Sequence, residues 1–428
     1  MSDWTTERLG TYARTFAGGT PDRSRPDFFG GTIPWVKSTE VNLGKIYQTE
    51  EHLSELGLKC SATKWIPENT VLVALYGATA AQVGFLKIKA TANQAVLAIC
   101  PDERLDSTYL FYSLTAAKAR VLFQAQGSGQ PNLNKQIIDN LHIAVPPLPQ
   151  QRKIARILTT VDNLIEKTES LIAKYESIKQ GMMHDLFTRG VDAHGQLRPP
   201  YAQAPELYKH SELGWIPNEW EVCRTGDCLE RIEQGWSPDC DSEPASAGEW
   251  GVLKTTAVVW AGFDYCENKR LPKKLTPIPK YEVKINDVLM TRGGPNSRVG
   301  VVVHVRQTTD KLMLSDKIYR LVPKTGLLPN YFTLALSSER TQTYLSTLKT
   351  GLAESQTNIS QEIVRRLWIG IPEIDEQEKI CRRLDAIQQA MNAEMRGLSK
   401  LRLQKTGLMQ DLLTGKVRVN ADEENTDE

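Results

Sequence analysis

Residues 146–191 read PPLPQQRKIARILTTVDNLIEKTESLIAKYESIKQGMMHDLFTRGV, and the chain repeats this stretch at residues 372–417 as PEIDEQEKICRRLDAIQQAMNAEMRGLSKLRLQKTGLMQDLLTGKV. A constant offset of 226 residues aligns the two copies without a gap. Identical residues recur in register, among them Pro146/Pro372 and Gln151/Gln377. So many matches in register indicate an internal duplication.

Each copy has the pattern of one long helix. Apolar residues recur in alternating steps of four and three, as on the buried stripe of a coiled coil, with polar Thr168, Lys179, Glu394 and Lys405 at the interrupting positions. The spacing predicts helices over 146–190 and 372–415, each roughly 60 Å long at 1.5 Å per residue. The predicted packing residues are Ile154, Leu158, Val161, Ile165, Ile172, Tyr175, Met182 and Leu186 in the first copy, and Ile380, Leu384, Ile387, Met391, Leu398, Leu401, Leu408 and Leu412 in the second.

The segments that precede the two helices also correspond. WTTERLG at Trp4 matches WEVCRTG at Trp220, and GGTPD at Gly18 matches QGWSPD at Gln234. Short β-like runs cut by turn residues, followed by a helix-like piece, predict a mixed α/β domain in each segment. The predicted order is a domain at 1–145, the first helix at 146–190, a connector at 191–210, a second domain at 211–371, the second helix at 372–415 and an acidic, disordered tail at 416–428.

The predicted fold class is therefore α/β (α+β), with two mixed domains joined by two long helices in a pseudo-two-fold repeat. An antiparallel helix pair needs only a short connector and leaves the domains at opposite ends, whereas a parallel pair would crowd both domains at one end. Pairing about a centre midway between Thr168 and Lys179 would place Lys179 opposite Glu394 and Thr168 opposite Lys405.

The composition describes a globular protein of two or three domains. The chain has 428 residues, of which 40% are hydrophobic and 24% charged, and its formal net charge is +1. Nucleic-acid binding would therefore need local patches rather than a global basic field. The N-terminal MSDWTTERLG has no apolar signal-peptide core and no apolar run reaches membrane-spanning length, so we expect a cytosolic protein. The seven scattered cysteines form no C-x-x-C pair, so we expect free thiols and no metal site.

Signatures of catalysis are absent. The sequence has no phosphate loop, no G-x-G-x-x-G, no H-E-x-x-H and no G-x-S-x-G, and it also lacks the NPPF or DPPY motif of an amino-methyltransferase. Asp239, Glu282 and Lys284 have the residue types of a PD…E-x-K nuclease, but more than forty residues separate the two parts of that motif. We therefore expect a chain that is not catalytic on its own and has no catalytic residues.

Several polar loops have side chains suited to nucleic acid. A lysine beside two hydroxyls follows a predicted strand in each domain, and such a group can hold a phosphate or reach a base edge. Gln and Asn can pair with adenine, and Arg in a Gly-rich turn can grip guanine or phosphate. The candidate DNA-binding residues are Lys37, Ser38, Thr39, Tyr76, Gln130, Asn132 and Asn134 in the first domain, and Lys254, Thr255, Thr256, Arg292, Asn296, Arg298, Gln356, Asn358 and Ser360 in the second.

Nearly the whole chain resembles the specificity subunits of type I restriction-modification enzymes. The resemblance rests on IAVPPLPQQRKIARIL and IGIPEIDEQEKICRRL, each at the start of a long helix, and on HSELGWIPNEWEV at the start of the second domain. It implies that each domain reads one half of a split double-stranded DNA target and that the helices pack antiparallel and set the spacing. It also implies that two methyltransferase subunits dock and a translocase-nuclease subunit joins for cleavage. S-adenosylmethionine, ATP and magnesium would then belong to the partner subunits, with no cofactor in this chain.

Two alternative hypotheses, from other classes of protein function, stay open at this point. One is a single-chain metal-dependent nuclease that uses the Asp239 and Glu282 carboxylates. The other is a coiled-coil adaptor that binds partner proteins and has no sequence-dependent affinity for DNA.

Overall fold

The computed structural model describes residues 4–125, 132–350 and 356–420. The chain divides into two compact units, the first formed by Met1–Leu171 with Glu394–Glu428 and the second by Ile172–Ala393. Both division points lie inside long helices, so each unit contains a globular part and a portion of both helices. Gln130 and the acidic stretch 421–428 lie outside the described residues.

The first unit is built on a five-stranded sheet of order β2-β9-β6-β7-β4, in which only β7 and β4 run parallel. A second sheet has the order β5-β3-β8, and β1 pairs with β10. The strands are β1 (Thr5–Arg8), β2 (Ala13–Ala17), β3 (Phe29–Val36), β4 (Lys45–Ile46), β5 (Glu51–Leu53), β6 (Thr70–Ala74), β7 (Val83–Leu86), β8 (Thr91–Ala92), β9 (Val96–Pro101) and β10 (His142–Val145). The helices are α1 (Glu55–Lys59), α2 (Ser107–Phe123), α3 (Lys135–Asp139) and the long α4 (Leu148–Thr188), which continues into the second unit.

The second unit is built on a four-stranded antiparallel sheet of order β14-β23-β19-β21, with a smaller sheet of order β18-β15-β22. The strands are β11 (Tyr208–Ser211), β12 (Gly214–Pro217), β13 (Glu221–Arg224), β14 (Leu229–Gln234), β15 (Gly251–Leu253), β16 (Val258–Val259), β17 (Gly262–Phe263), β18 (Asn268–Arg270), β19 (Val288–Thr291), β20 (Gly293–Gly294), β21 (Val302–His304), β22 (Leu312–Met313), β23 (Ile318–Pro323), β24 (Thr357–Asn358) and β25 (Trp368–Ile371). The helices are α5 (Thr225–Cys228), α6 (Pro329–Ser337), α7 (Glu339–Leu348), α8 (Gln361–Arg365) and the long α9 (Ile374–Leu413), which continues into the first unit.

The two units share one topology. β2, β9, β6 and β7 occupy the positions that β14, β23, β19 and β21 occupy in the other main sheet. The smaller sheets also agree, because the central strand pairs antiparallel on one side and parallel on the other in both. At the centre of each main sheet, β6 and β19 are apolar runs in which every residue is buried, as expected for a strand covered on both faces. The predicted repeat of a mixed α/β domain is confirmed.

Each core also includes parts of both long helices. In the first unit the cluster takes in Ile154 and Leu158 of α4 together with Leu412 of α9. In the second unit it takes in Ile380 and Leu384 of α9 together with Leu186 of α4. Burying a side chain of this size stabilises the fold by about 1.5–3 kcal/mol. Of the sixteen stripe residues, nine are buried and seven half-buried.

The helices run antiparallel within each unit, as predicted, but the predicted register is wrong. In the first unit Lys405 Nζ lies 2.6 Å from Asp162 Oδ1, and in the second Lys179 Nζ donates to Gln388 Oε1 at 2.6 Å. Lys179 therefore bonds to Gln388, six positions before the predicted partner Glu394. Lys405 pairs with Asp162 rather than with the predicted Thr168. Thr168 Oγ1 instead donates to the carbonyl of Leu164 in its own helix. An apolar stripe with steps of four and three meets a stripe again after a shift of seven residues, one residue from the offset of these lysine contacts, so the pattern alone does not fix the register.

The connector is fixed to the start of α9 in the second unit. Arg198 donates from Nη1 and Nη2 to the two carboxylate oxygens of Glu376 at 2.6 and 3.0 Å, and both residues are buried. The backbone N–H of Val191 also donates to Glu376 Oε1 at 2.7 Å. A buried carboxylate needs such compensation, because burial removes its hydration. Further along, β11 and β12 form a hairpin, so the connector region has secondary structure of its own.

The expectation that all seven cysteines are free thiols is wrong for two of them. Cys223 and Cys228 form a disulfide, and the other five cysteines are free. Cys223 lies in β13, and α5 directly after that strand turns the chain back so that Cys228 reaches it; this spacing is not the C-x-x-C pattern that we sought. No helix of residues 4–125, 132–350 and 356–420 is both long and apolar enough to cross a membrane.

Candidate nucleic-acid interface

One end of the main sheet in the first unit has a rim of exposed polar side chains. Leu75 follows β6, and its N–H donates to the carbonyl of Ala95 at 2.8 Å, while its carbonyl accepts from the N–H of Leu133 at 2.9 Å. These two bonds bring together the end of β6, the turn before β9 and the segment before α3. We define the first rim as Thr20, Tyr76, Gln94 and Asn132, all of which are exposed.

Side-chain and backbone contacts tie the first rim together. The hydroxyl of Thr20 donates to Gln94 Oε1, which joins the segment after β2 to the turn before β9. Tyr76 and Asn132 pair through a β-bridge. Hydroxyl, phenol and amide groups thus converge from four separate stretches of the chain.

The second unit has a rim at the equivalent end of its sheet. The N–H of Arg292 donates to the carbonyl of Lys317 at 2.8 Å, and the carbonyl of Arg292 accepts from the N–H of Ile359 at 2.9 Å. The hydroxyl of Ser237 donates to the carboxylate of Asp316, whose own N–H donates to Ser237 Oγ at 3.1 Å. We define the second rim as Ser237, Arg292, Asp316, Lys317 and Asn358.

The two rims correspond position by position. The backbone bonds that pair Leu75 with Ala95 and Leu133 are the ones that pair Arg292 with Lys317 and Ile359. The hydroxyl bond of Thr20 to Gln94 recurs as the hydroxyl bond of Ser237 to Asp316. The corresponding pairs are therefore Thr20/Ser237, Leu75/Arg292, Gln94/Asp316, Ala95/Lys317 and Asn132/Asn358. The scaffold of the rim is kept while its chemistry changes.

The second rim is tightly packed around Gly293. β20 and β24 pair antiparallel with Gly293 opposite Asn358. A Cβ at Gly293 would lie 2.6 Å from Asn358 Oδ1 and 3.3 Å from Lys317 Cδ, so these side chains would have to shift if glycine were replaced. The guanidinium of Arg292 lies 5.6 Å from the centre of the Tyr319 ring, and its Nη1 donates to the carbonyl of Asp316 at 3.3 Å. Its Nε is buried without an acceptor among the described residues.

The two predicted lysine-hydroxyl triplets lie beside acidic groups. The Lys37 ammonium lies 2.6 Å from Glu50 and 3.2 Å from Glu51, and the hydrogen bond to Glu50 raises the pKa of Lys37. Lys254 lies 3.8 Å from Glu267, which also accepts from the hydroxyl of Thr256. Lys37 therefore has hydrogen-bonded carboxylate partners that compete with a phosphate, whereas the pair of Lys254 with Glu267 is too long for a hydrogen bond. Ser38 and Thr255 are half-buried, and Thr39 is exposed.

Asn134 and Ser360 act as helix caps. Asn134 Oδ1 accepts from the N–H of Ile137 at 2.9 Å at the start of α3, and Ser360 Oγ accepts from the N–H of Ile363 at 3.2 Å at the start of α8. Capping of this kind satisfies a backbone donor that the first turn leaves free.

The remaining candidates that the structure describes are exposed. Asn296 accepts from the Lys349 ammonium, with its backbone carbonyl at 3.1 Å and its Oδ1 at 3.3 Å. Arg298 and Gln356 are exposed. Gln130 lies outside the described residues. DNA contact by the candidate residues stays a prediction.

The structure brings Tyr76 together with Asn132, and Arg292 together with Asn358. Sequence reasoning missed Thr20, Gln94, Ser237, Asp316 and Lys317, because the sheet assembles them from distant segments. A signal for one pair existed, since Thr20 and Ser237 fall in the matched pieces GGTPD and QGWSPD.

The geometry does not support the interpretation of the chain as a nuclease. Glu282 Oε1 accepts from the backbone N–H of Lys311 at 2.7 Å, so this carboxylate helps to hold a turn. Within the part of the chain that the structure describes, no group of three or more His, Cys, Asp and Glu side chains is placed to hold a metal ion.

Comparisons with known proteins agree on one family. The family model described as the type I restriction modification DNA specificity domain matches residues 1–176 and 217–400. The type I restriction enzyme MjaVIII specificity subunit of Methanocaldococcus jannaschii is 27% identical over 427 residues, which cover 97% of this chain and 93% of that protein. The type I restriction enzyme EcoEI specificity subunit of Escherichia coli is 44% identical over 167 residues, which cover 39% of this chain but only 28% of that protein.

Solved structures share the fold. The crystal structure of the type I restriction-modification S subunit from M. genitalium superposes with a TM-score of 0.59 at 13% identity, covering 96% of each chain. A chain from a study of complex assembly and conformational transition of the type I R-M system gives a TM-score of 0.53 at 17% identity, covering 97% of this chain and 98% of that one.

Proposed function

The chain belongs to the family of type I restriction modification DNA specificity domains, and from that premise we propose that it is the sequence-reading subunit of a type I restriction-modification complex. Each unit reads one half of a split double-stranded DNA target. The long helices α4 and α9 set the spacing between the halves and dock two methyltransferase subunits.

The observation that carries this proposal is the pair of corresponding rims. A scaffold that occurs twice with the same backbone bonds, but with Leu75 replaced by Arg292 and Ala95 by Lys317, is suited to two readers of different sequence. Direct readout requires side chains that reach base edges, and the exposed polar groups of the rims are of the required types. The domain boundaries at 1–145 and 211–371 belong to this proposal.

The chemistry of the complex resides in the partners. The methyltransferase subunits supply S-adenosylmethionine and the methyl transfer, and a translocase-nuclease subunit supplies ATP- and magnesium-dependent cleavage. This chain contributes recognition and assembly, binds no cofactor of its own and acts in the cytoplasm, where its DNA is.

A domain exchange tests the proposal. Residues 1–145 are replaced by the equivalent domain of a relative with a different target, and the hybrid is produced with its methyltransferase subunit. Methylome sequencing should show one half of the methylated sequence changed and the other half kept. A change in both halves would overturn modular reading. In the control, the parent chain alone with S-adenosylmethionine should methylate no DNA; methylation there would show that the chain is itself an enzyme.

The exchange and a cleavage assay of the purified chain separate the alternatives. A coiled-coil adaptor without DNA affinity would leave the methylated sequence unchanged after the exchange. A single-chain nuclease would cleave DNA without any partner and would lose that activity on Asp239→Ala.

A further inference from the structure

The two rims differ most in charge. The second rim has Arg292 and Lys317 where the first has Leu75 and Ala95, and it has Asp316 where the first has Gln94. The first rim therefore offers only neutral hydroxyl, phenol and amide groups, whereas the second offers two cations beside a carboxylate. A difference in charge at corresponding positions of one scaffold indicates a difference in what each rim binds.

We propose that the second rim reads a guanine in its half of the target through Arg292 and Lys317, while the first rim, which has no cation at these positions, does not. The proposal rests on the proposed function and adds the class of base pair. In the major groove guanine presents two acceptors, O6 and N7, which Arg and Lys side chains recognise, whereas Asn and Gln amides suit adenine.

The geometry favours a base contact through this cluster. Lys317 is exposed, and its Nζ lies 3.9 Å from Asp316 Oδ2, which is too far for a hydrogen bond and makes only a weak pair at this exposure. The carboxylate itself accepts from the hydroxyl of Ser237, which fixes its position. The Lys317 ammonium has no hydrogen-bond acceptor among the described residues, so its donors are available to a ligand.

Arg292 has unused hydrogen-bonding capacity. Among the described residues its guanidinium donates one hydrogen bond, from Nη1 to the carbonyl of Asp316, and its buried Nε has no acceptor there. A buried donor without an acceptor is unfavourable. An acceptor that reaches the half-buried guanidinium from solvent would be stabilised by the N–H groups that have no acceptor among the described residues.

The test compares base preference with overall activity. The complex of the full chain with its methyltransferase subunit is assayed for methyl transfer to duplexes in which each base pair of the target is replaced in turn. The half kept in the exchange of residues 1–145 is the half read by the second unit. That half should contain a G·C pair that Lys317→Ala and Arg292→Leu relax, with preference for it falling about 5- to 150-fold, the range that one good base contact provides.

The variants are chosen so that they fold. Both introduce the residue that the first unit has at the corresponding position, and Lys317 is exposed. Unchanged thermal unfolding of the complex confirms folding, and Lys324→Ala, which removes an exposed lysine of the same unit outside the rim, is the matched control and should leave every base preference unchanged.

Two outcomes would overturn the inference while leaving the proposed function intact. One is a half-target for the second unit without any G·C pair. The other is a uniform fall in methylation on all duplexes, which is the behaviour of a phosphate contact. Failure of the proposed function itself would be seen earlier, as a parent complex that methylates no split sequence or an exchange that changes both halves.

Discussion

At the scale of single residues, Gln151 and Gln377 show what the duplication preserved. Gln151 donates from Nε2 to the carbonyls of Arg104 and Pro146 at 3.0 and 2.8 Å, and its Oε1 accepts from the N–H of Asp106 at 2.8 Å. Gln377 makes the same three bonds in the second unit, to the carbonyls of Gly326 and Pro372 and from the N–H of Leu328, each at 2.9 Å. Both side chains are fully buried, so each fixes a loop to the start of a long helix.

Replacing this glutamine by leucine should destabilise the chain. Gln151→Leu keeps a similar volume but removes the partner of the buried Pro146 carbonyl and of the part-buried Arg104 carbonyl and Asp106 N–H, and a buried group left unpaired costs about 1–3 kcal/mol. We expect the free energy of unfolding to fall by at least about 2 kcal/mol, measured by urea denaturation, and Gln377→Leu to behave alike. The exposed neighbour is the control, since Arg152→Leu should change the free energy by no more than about 0.5 kcal/mol. Equal effects of Gln151→Leu and Arg152→Leu would contradict the role of these bonds.

The residue scale also shows how the copies diverged. Trp4 Nε1 donates to Gln150 Oε1 at 3.1 Å in the first unit. The corresponding Trp220 has no acceptor among the described residues, because Glu376, which corresponds to Gln150, is engaged by Arg198 and Val191. Sequence alignment showed both tryptophans as matched, but the change of partner depends on Arg198 in the connector, which has no counterpart in the matched stretch.

At the scale of elements, the duplicated stretch was enough to predict both helices and their antiparallel pairing. The register was not predictable, because any shift that brings apolar stripe to apolar stripe has a similar burial energy. Polar contacts decide it instead. Asp162 accepts from the hydroxyl of Tyr112 at 2.7 Å and pairs with Lys405, and Tyr112 belongs to α2, outside the repeat of the helices.

The Lys405–Asp162 and Lys179–Gln388 contacts occupy corresponding positions, but they should contribute differently to the free energy of unfolding. Lys405→Met leaves the half-buried Asp162 carboxylate without its cation, and we expect the free energy of unfolding to fall by about 1–3 kcal/mol. Lys179→Met removes a lysine whose pKa burial lowers and whose partner, Gln388, is neutral. The second change should therefore cost less than about 1 kcal/mol or stabilise the chain. Urea denaturation of both variants makes the comparison, and a larger loss for Lys179→Met would refute this account of the register.

At the scale of the whole molecule, the sequence predicted the fold class but not the residues of the two rims. Short apolar runs bounded by turn residues, such as β6 and β19, predicted strands and the mixed α/β class, although not the order of the strands in the sheets. Lys37 and Lys254 looked like ligand groups from their triplets, whereas the structure pairs both with carboxylates from later in the chain. Lys317 and Gln94 carried no local signal, because a rim is defined only after the strands have paired. Sequence pattern therefore predicts the scaffold better than the reading surface.

The last prediction is that the length of the two helices sets the number of base pairs between the two half-targets. Asp162 pairs with Lys405 in one unit and Gln388 with Lys179 in the other, so lengthening α4 alone would force one of these contacts out of register. Inserting four residues into both helices, after Leu171 and after Ala393, keeps the contacts inside each unit. Four residues add roughly 6 Å and a little more than one turn, which approximately preserves the apolar stripe.

Methylome sequencing of the doubly lengthened chain should show the same two half-sequences separated by one or two additional unspecified bases, because 6 Å corresponds to about two base-pair steps of 3.4 Å. A single insertion after Leu171 is the control and should lower activity, since it lengthens α4 against an unchanged α9. If the double insertion leaves the number of bases between the half-sequences unchanged while methylation continues, the helices do not set that spacing. The methyltransferase subunits would then hold the two readers at their distance on the DNA.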